Sequence, residues 1–592
     1  MGTSKTKVGL IYIGCQRFRE LGKDCASGSY VERRERFVQG VVKEISGIAD
    51  CVYPGTVYSP EDADAAIATF AKEKVQCVVA TFLSWSEDFT WSYLLRKMSA
   101  DIPLVYYLPV MDRVPYADTR DENDFVEFLA QGGLVGSLIG SASWARQKRQ
   151  VEIFVDDFKT ARPRLEAFFA AAKAKDKLRH AHYGLVPGYN EIMRGTFIDP
   201  YAIFTKIGPK LDFFSYDKLH KLIMEISDAE AQKYVDELSA AYPVEPGISP
   251  KLFLESARAS LGLAALRNEQ NLDALILNDV SGEIFETLGL RPGFYPEDFD
   301  RNDAILTPEG DLGAATAMYL LRQVSGGKHV NYVEPFYIEK ETGSFAAGHA
   351  GPHDYTDPRF RDHVRISIDA RFAKTNYRFA GAPFAWYRIP EGLKTIAHLS
   401  QGPDERYKLV CFKAESLPGP HKLCGYCHSD FKVAGDAGRL FEEILKVGVT
   451  QHFAAGAAMI SGVVLGALSD KFPEWKLTTP AQLLSAVLMF LSAGTHSLLG
   501  FGACHAANNL AVGGLHSVFQ KVTAGLVPHT KRGSVLGGAT TAFNAGFMLA
   551  TVVSGAIVKS FGLRSVYYTA AGMLLVMAVS TALIIRGVKR SA

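Results

Sequence analysis

The apolar positions divide the chain into three textures. In the first, short apolar runs alternate with segments of helical period. KVGLIYI (7–13) is a β-branched run closed by Gly14, and residues 31–46 place Val31, Phe37, Val41, Val42 and Ile45 near helical spacing. VQCVVATF (76–83) and IPLVYYLP (102–109) read as strands, with helices over DADAAIATFAKEK and near 88–99. Strands alternating with helices predict βαβ units and a parallel sheet. The pattern restarts near residue 182 with HYGLVPGY. It continues through LDFFSYD (211–217), a helix over 250–266 and the strand LDALILND (272–279). That predicts a second α/β layer structure.

From about residue 330 the strands are short and helical intervals are few: VNYVEPFYIE, GSFAAGH, HVRISIDARF and RYKLVCFKAE. This texture predicts a third, mostly β domain, followed by a helix over 437–447. After His452 the chain turns apolar and almost uncharged. The runs are 453–469, 481–494, 498–519, 534–558 and 565–585. The last two are long enough to cross a bilayer, which takes about 20 residues. The first two are shorter, and a buried soluble helix is their rival reading. The predicted fold class is multi-domain α/β. Two parallel-sheet domains (1–180 and 181–329) precede a β-rich domain (330–452) and an all-α transmembrane segment of about five helices (453–592).

Composition sharpens this picture. A chain of 592 residues exceeds the roughly 250–300 at which one core stops growing. The net charge of +1 offers no field for a nucleic-acid partner. Charged residues make up 21%, under the usual ~25%, and the deficit lies in the tail. Eight scattered cysteines exclude a disulfide scaffold and suit a reducing compartment. The N-terminus is not expected to be a signal peptide, and it resembles a myristoylation site only loosely. VSGGKH (324–329) lacks the spacing of a phosphate-binding loop, and there is no G-x-S-x-G elbow. The parallel sheets therefore do not imply NAD or ATP.

Candidate chemistry gathers in four segments. Glu309 lies just before a helix whose N-cap is expected at Asp311, and Glu334 lies inside the strand NYVEPFYIE. His349 sits in GHAGPHD, and His452 in GVTQHFA. Two carboxylates and two imidazoles form a mixed O/N ligand set suited to Mn²⁺ or a similar divalent ion. Such a centre can bind adjacent sugar oxygens while a carboxylate moves a proton between C2 and C1. Taken singly, each residue also reads as a solvated carboxylate or a satisfied core histidine. His353, four residues after His349, is an alternative to His452. HKLCGYCH (421–428) holds a C-x-x-C-H pattern and a compact His421, Cys424, Cys427, His428 set. Haem attachment would need export, four zinc ligands within eight residues are unusual, and ordinary loop cysteines are the expectation.

Together these segments resemble the L-arabinose/L-fucose isomerase superfamily over most of residues 7–456. The best matches are 184–218, 272–296, EGDLGAATAMYLLRQVSGG, GHAGPHD and GVTQHFA. The resemblance implies a metal-dependent sugar isomerase that interconverts aldoses and ketoses through an ene-diol. It implies that Glu309, Glu334, His349 and His452 are the metal ligands. Glu309 and Glu334 would also be the catalytic acid and base. It further implies that Gln16 contacts the sugar, and that the isomerase part forms a homo-oligomer. The chain departs from the family in turning apolar almost immediately after His452.

In the tail, GVVLGALSDKF (462–472) and LVPHTKRGSVLG (526–537) resemble loop signatures of major facilitator transporters. The residues concerned are Gly466, Leu468, Ser469, Asp470, Lys471, Pro528, Arg532 and Gly533. The tail then resembles the last five of about twelve helices, and one half alone is not expected to transport. The expected location is a membrane, with the isomerase domains in the cytoplasm. A plain membrane anchor and a joining of two neighbouring genes are the rival readings of the tail.

Overall fold

The computed structural model describes residues 5–457, apart from 302, 357–360, 403–405 and 424. The chain divides into two compact units, Met1–Ser461 and Gly462–Ala592. The second lies wholly outside the described residues, and with it the predicted transmembrane helices from 458 onward and the transporter-like loop residues.

The N-terminal region builds the expected parallel sheet. Its strands are β1 (Lys7–Ile13), β2 (Asp50–Val52), β3 (Cys77–Phe82), β4 (Leu104–Pro109) and β5 (Glu152–Asp156), in the order β2-β1-β3-β4-β5. Alternate residues of β1 serve opposite faces. Val8, Leu10 and Tyr12 pack with the helices Tyr30–Ser46 and Phe158–Arg179. Ile11 and Ile13 pack with Phe70 and Trp91 from the helices Pro60–Glu73 and Asp88–Lys97. Both faces are covered, which is why these strands read as continuous apolar runs.

A second parallel sheet comprises β6 (His182–Val186), β7 (Lys210–Phe213), β8 (Ala274–Leu277) and β9 (Ile305–Thr307), in the order β7-β6-β8-β9. The next strands are β10 (Val330–Glu339), β11 (Ser344–His349), β12 (Val364–Ile368), β13 (Pro383–Tyr387), β14 (Gly392–Gln401), β15 (Tyr407–Ser416), β16 (Cys427–Val433) and β17 (Phe453–Ala457). β12 and β13 pair with each other, and the other six close a barrel in the order β10-β11-β16-β15-β14-β17.

The helix Leu312–Val324 joins the second sheet to the barrel. Its Leu312, Ala315, Met318 and Tyr319 share one core with Tyr183, Leu185 and Ile276 of the sheet and with Val330, Tyr332, Ala397 and Ala454 of the barrel. Close approach is obligatory at Gly313, where a Cβ would lie 2.1 Å from the Leu399 carbonyl oxygen.

One expectation is corrected here. The apolar run from 453 was read as the start of a membrane helix, but Phe453–Ala457 is β17. It pairs antiparallel with both β10 and β14 and closes the barrel. Phe453, Ala454 and Ala455 are buried. A strand covered on both sides carries no polar alternation, so hydropathy alone does not separate it from a membrane segment.

Candidate metal centre

Four segments with candidate ligands converge where the C-terminal edge of the second sheet meets the barrel. The first is the turn Pro308–Gly310 after β9. Glu309 adopts the left-handed conformation there (φ 60°), and Gly310 follows it at 68°. Asp311 then caps the helix Leu312–Val324, accepting a hydrogen bond from the Ala314 amide at 2.9 Å. Ligand sites gather at such carboxyl edges of parallel strands.

The barrel supplies the rest by register. Glu334 on β10 stands opposite Gly348 on β11, one residue before His349. On the other side of β10, Val333 pairs with Phe453, so the next step of the ladder brings Glu334 beside His452. A bulge at Pro335–Tyr337 follows Glu334 immediately. Proline has no amide hydrogen for the ladder, and bulges re-aim neighbouring side chains.

The resulting geometry is compact. His349 Nε2 lies 3.1 Å from Glu309 Oε1, and His452 Nε2 lies 3.0 Å from Glu309 Oε2. Ligand atoms of Glu309, His349 and His452 all fall within 4.8 Å of one another. All three residues are buried. Glu334 stands at the rim, its side chain 28% exposed and its Oε2 3.8 Å from His452 Nε2.

Each imidazole is oriented from behind. His452 Nδ1 donates to Asp311 Oδ2 at 2.9 Å, and His349 Nδ1 to the Ala350 carbonyl at 2.5 Å. A ligating imidazole needs such support on its other nitrogen. Thr450 adds a third donor to Asp311 at 3.3 Å, and Tyr332 packs its ring 4.7 Å from His349 and 4.8 Å from His452.

The electrostatics follow from this packing. Burial raises the Glu309 carboxyl, but His349 and His452 outweigh it and hold the group well below its usual range. Burial lowers the His452 imidazole, but Asp311 and Glu309 more than reverse this and push it up to about 9. Despite its distance to Glu309, His452 Nε2 is buried without a hydrogen bond among the described residues. Two imidazoles and a carboxylate around an orphaned nitrogen fit a divalent cation.

The structure thus brings Glu309, His349, His452 and, at the rim, Glu334 together. His353 does not join them. It is buried, its ring centroid is 6.1 Å from that of His349, and it lines a small cavity with Tyr295, Arg322 and Asp354. Gln16 is exposed in the 3₁₀ turn Gln16–Phe18 after β1, where its hydrogen-bond partner is Arg19. In the C-x-x-C-H segment Cys424 lies outside the described residues. His428 uses both ring nitrogens locally: Nε2 accepts from the amides of Lys422 and Leu423, and Nδ1 bonds the Tyr426 carbonyl. His428 therefore locks a turn. Asp311 was legible in the sequence only as a cap, and its grip on His452 requires the fold.

Comparison with known proteins bears on the other end of the chain. Residues 447–591 match the Major Facilitator Superfamily. The C-terminal part is transporter-like. Over 126 residues the chain is 25% identical to the cis,cis-muconate transport protein of Acinetobacter baylyi (strain ATCC 33305 / BD413 / ADP1). That alignment covers 21% of this chain and 30% of that protein, so the chain spans under a third of the curated relative. The isomerase resemblance of residues 7–456 has no counterpart in these matches. The family match begins at 447, so it overlaps His452 and β17 of the barrel.

Proposed function

We propose that residues 1–457 form a divalent-metal-dependent aldose–ketose isomerase of the L-arabinose/L-fucose type, carried into a membrane by the transporter-like segment. The observation that carries this reading is the buried Glu309–His349–His452 cluster with its orphaned His452 nitrogen and Glu334 at the rim. Mn²⁺ or a similar ion held there supplies Lewis acidity toward adjacent sugar oxygens. Glu334, partly exposed at the rim, moves the proton between C2 and C1. Glu309, ionised at rest, would take the proton from the O2 hydroxyl and return it to O1. Asp311 keeps His452 in the tautomer that offers Nε2. The isomerase domains face the cytoplasm on this reading.

The test is a panel of aldoses offered to the full chain in detergent, with EDTA and with Mn²⁺ restored. Ketose formation that EDTA abolishes and Mn²⁺ restores is expected. A chain that holds Mn²⁺ but converts no aldose overturns the reading. A second reading is favoured by the transporter-family match. In it the protein is transport-related or membrane-tethered, and its soluble part binds a sugar without isomerising it. The same panel separates the two, because that reading requires sugar binding with no turnover.

A further inference from the structure

We propose that the buried Asp279–Arg291 ion pair positions the metal centre by locking together the two turns that carry Glu309 and His349. The inference rests on the metal-dependent reading above and assigns these two residues to it.

It starts from the backbone of Glu309. A non-glycine residue held at φ 60° is strained, and persists only where its surroundings over-determine it. Asp279, just after β8, supplies that constraint. Its Oδ1 accepts the Glu309 amide hydrogen at 2.9 Å. The Asp279 side chain is 0% exposed, and its Oδ2 faces Arg291 Nε at 2.9 Å. Arg291 is itself 4% exposed, and its Nη1 has no hydrogen-bond partner among the described residues.

The second turn lies on the same pair. Gly351, two residues after His349, has φ 127°. A Cβ there would stand 3.1 Å from Arg291 Nη2, 3.2 Å from Asp279 Oδ2 and 3.5 Å from Pro308 Cβ. The ion pair therefore touches the turn before the helix and the turn after β11. It fixes the spacing between the Glu309 carboxylate and the His349 ring. Fully buried ion pairs are poor sources of net stability, because desolvation offsets their attraction. What this pair supplies is geometry: one oxygen to an amide of a strained turn, and a planar guanidinium under a glycine that leaves room for it.

The experiment is a Mn²⁺ titration of the full chain in detergent, reading free Mn²⁺ by its electron paramagnetic resonance signal. Metal-free thermal unfolding is measured in parallel. Asp279→Asn keeps an oxygen for the Glu309 amide but removes the charge that anchors it on Arg291. Arg291→Lys keeps the charge but loses the fork. A Kd for Mn²⁺ raised about 10–100-fold in Asp279→Asn is expected, as for other groups that orient metal ligands. A smaller rise is expected in Arg291→Lys. Folded variants that bind Mn²⁺ with wild-type affinity, and differ only in metal-free unfolding temperature, overturn the positioning role. Should Asp279→Asn fail to fold, Arg291→Lys decides by the same criterion. A wild-type chain that binds no Mn²⁺ fails before any variant is made, and overturns the metal-dependent reading itself.

Discussion

The two parallel sheets of this chain end differently at the same topological place. At the carboxyl edge of the N-terminal sheet, after β1 and β3, polar groups satisfy one another. Tyr30 Oη lies 2.5 Å from Ser84 Oγ and accepts the Cys15 amide at 3.1 Å, and Ser86 donates to the Gly14 carbonyl at 2.9 Å. Behind them Arg33 pairs with Glu127 at 2.8 Å. At the carboxyl edge of the second sheet, after β8 and β9, three acidic residues crowd together: Asp279, Glu309 and Asp311. Their partners come from elsewhere, Arg291 from the segment after β8 and two imidazoles from the barrel. The first edge pairs these groups locally, although Arg34 Nε, on a side chain that reaches the Leu83 carbonyl, is also buried without a hydrogen bond among the described residues. The second leaves His452 Nε2, beside Glu309 and His349, and Arg291 Nη1 buried without a hydrogen bond among them. What sets the second edge apart is that its unmatched His452 nitrogen sits among groups that can hold a cation.

The sharpest way to break this contrast is to remove an acid from the second edge. Glu309→Gln deletes the carboxylate that both imidazoles face at 3.0–3.1 Å. Mn²⁺ binding is expected to be lost, with turnover falling by about 10²–10⁴-fold or more. Glu334→Gln, at the rim, is expected to cost turnover as heavily while weakening Mn²⁺ binding less. Calorimetric Mn²⁺ titration beside an aldose assay measures both. Wild-type metal affinity in Glu309→Gln would remove the distinction between the edges.

How much of this contrast the sequence carries differs by region. The alternation of β1, β3 and β4 with helices is local, so the strands lie where apolar runs place them. The Glu309, Glu334, His349 and His452 set was singled out by the resemblance to the L-arabinose/L-fucose isomerase superfamily, because taken singly each residue also reads as a solvated carboxylate or a satisfied core histidine. Their meeting depends on the local hairpin of β10 with β11 and on the pairing of β10 with β17, and the latter joins residues more than a hundred positions apart and leaves no periodic trace. Asp279 and Arg291 gave no signal, since an aspartate after a strand reads as an ordinary turn residue. β17 was misread because small apolar residues suit a barrel seam and a bilayer alike.

A smaller effect is expected where a residue acts through a ligand rather than as one. Asp311→Asn can keep its oxygen on the Ala314 amide, so the helix cap survives, but it puts an NH2 group where Oδ2 accepted from His452 Nδ1. What it loses is the charge that makes His452 a strong donor to a cation. Mn²⁺ affinity is expected to fall by about 10–100-fold, with helix content unchanged by circular dichroism. A folded variant that binds Mn²⁺ as the wild type does shows that Asp311 is a cap alone.

The smallest effect on metal belongs to the first edge, and it is the control that gives the comparison its meaning. Tyr30 is fully buried, and its hydroxyl serves both the Cys15 amide and Ser84. Tyr30→Phe keeps the ring in place against Phe18, whose centroid is 5.6 Å away, and removes only the oxygen. The Cys15 amide is then left buried without that acceptor, which costs about 1–3 kcal/mol. Denaturant unfolding of the variant is expected to show that loss. Its Mn²⁺ titration is expected to overlay the wild type, because nothing in the Tyr30 network touches Glu309, His349 or His452. If Tyr30→Phe lowered Mn²⁺ affinity as far as Asp311→Asn, the two edges would be one coupled system. Their satisfied and unsatisfied polar groups would then say nothing separate about where the chemistry lies.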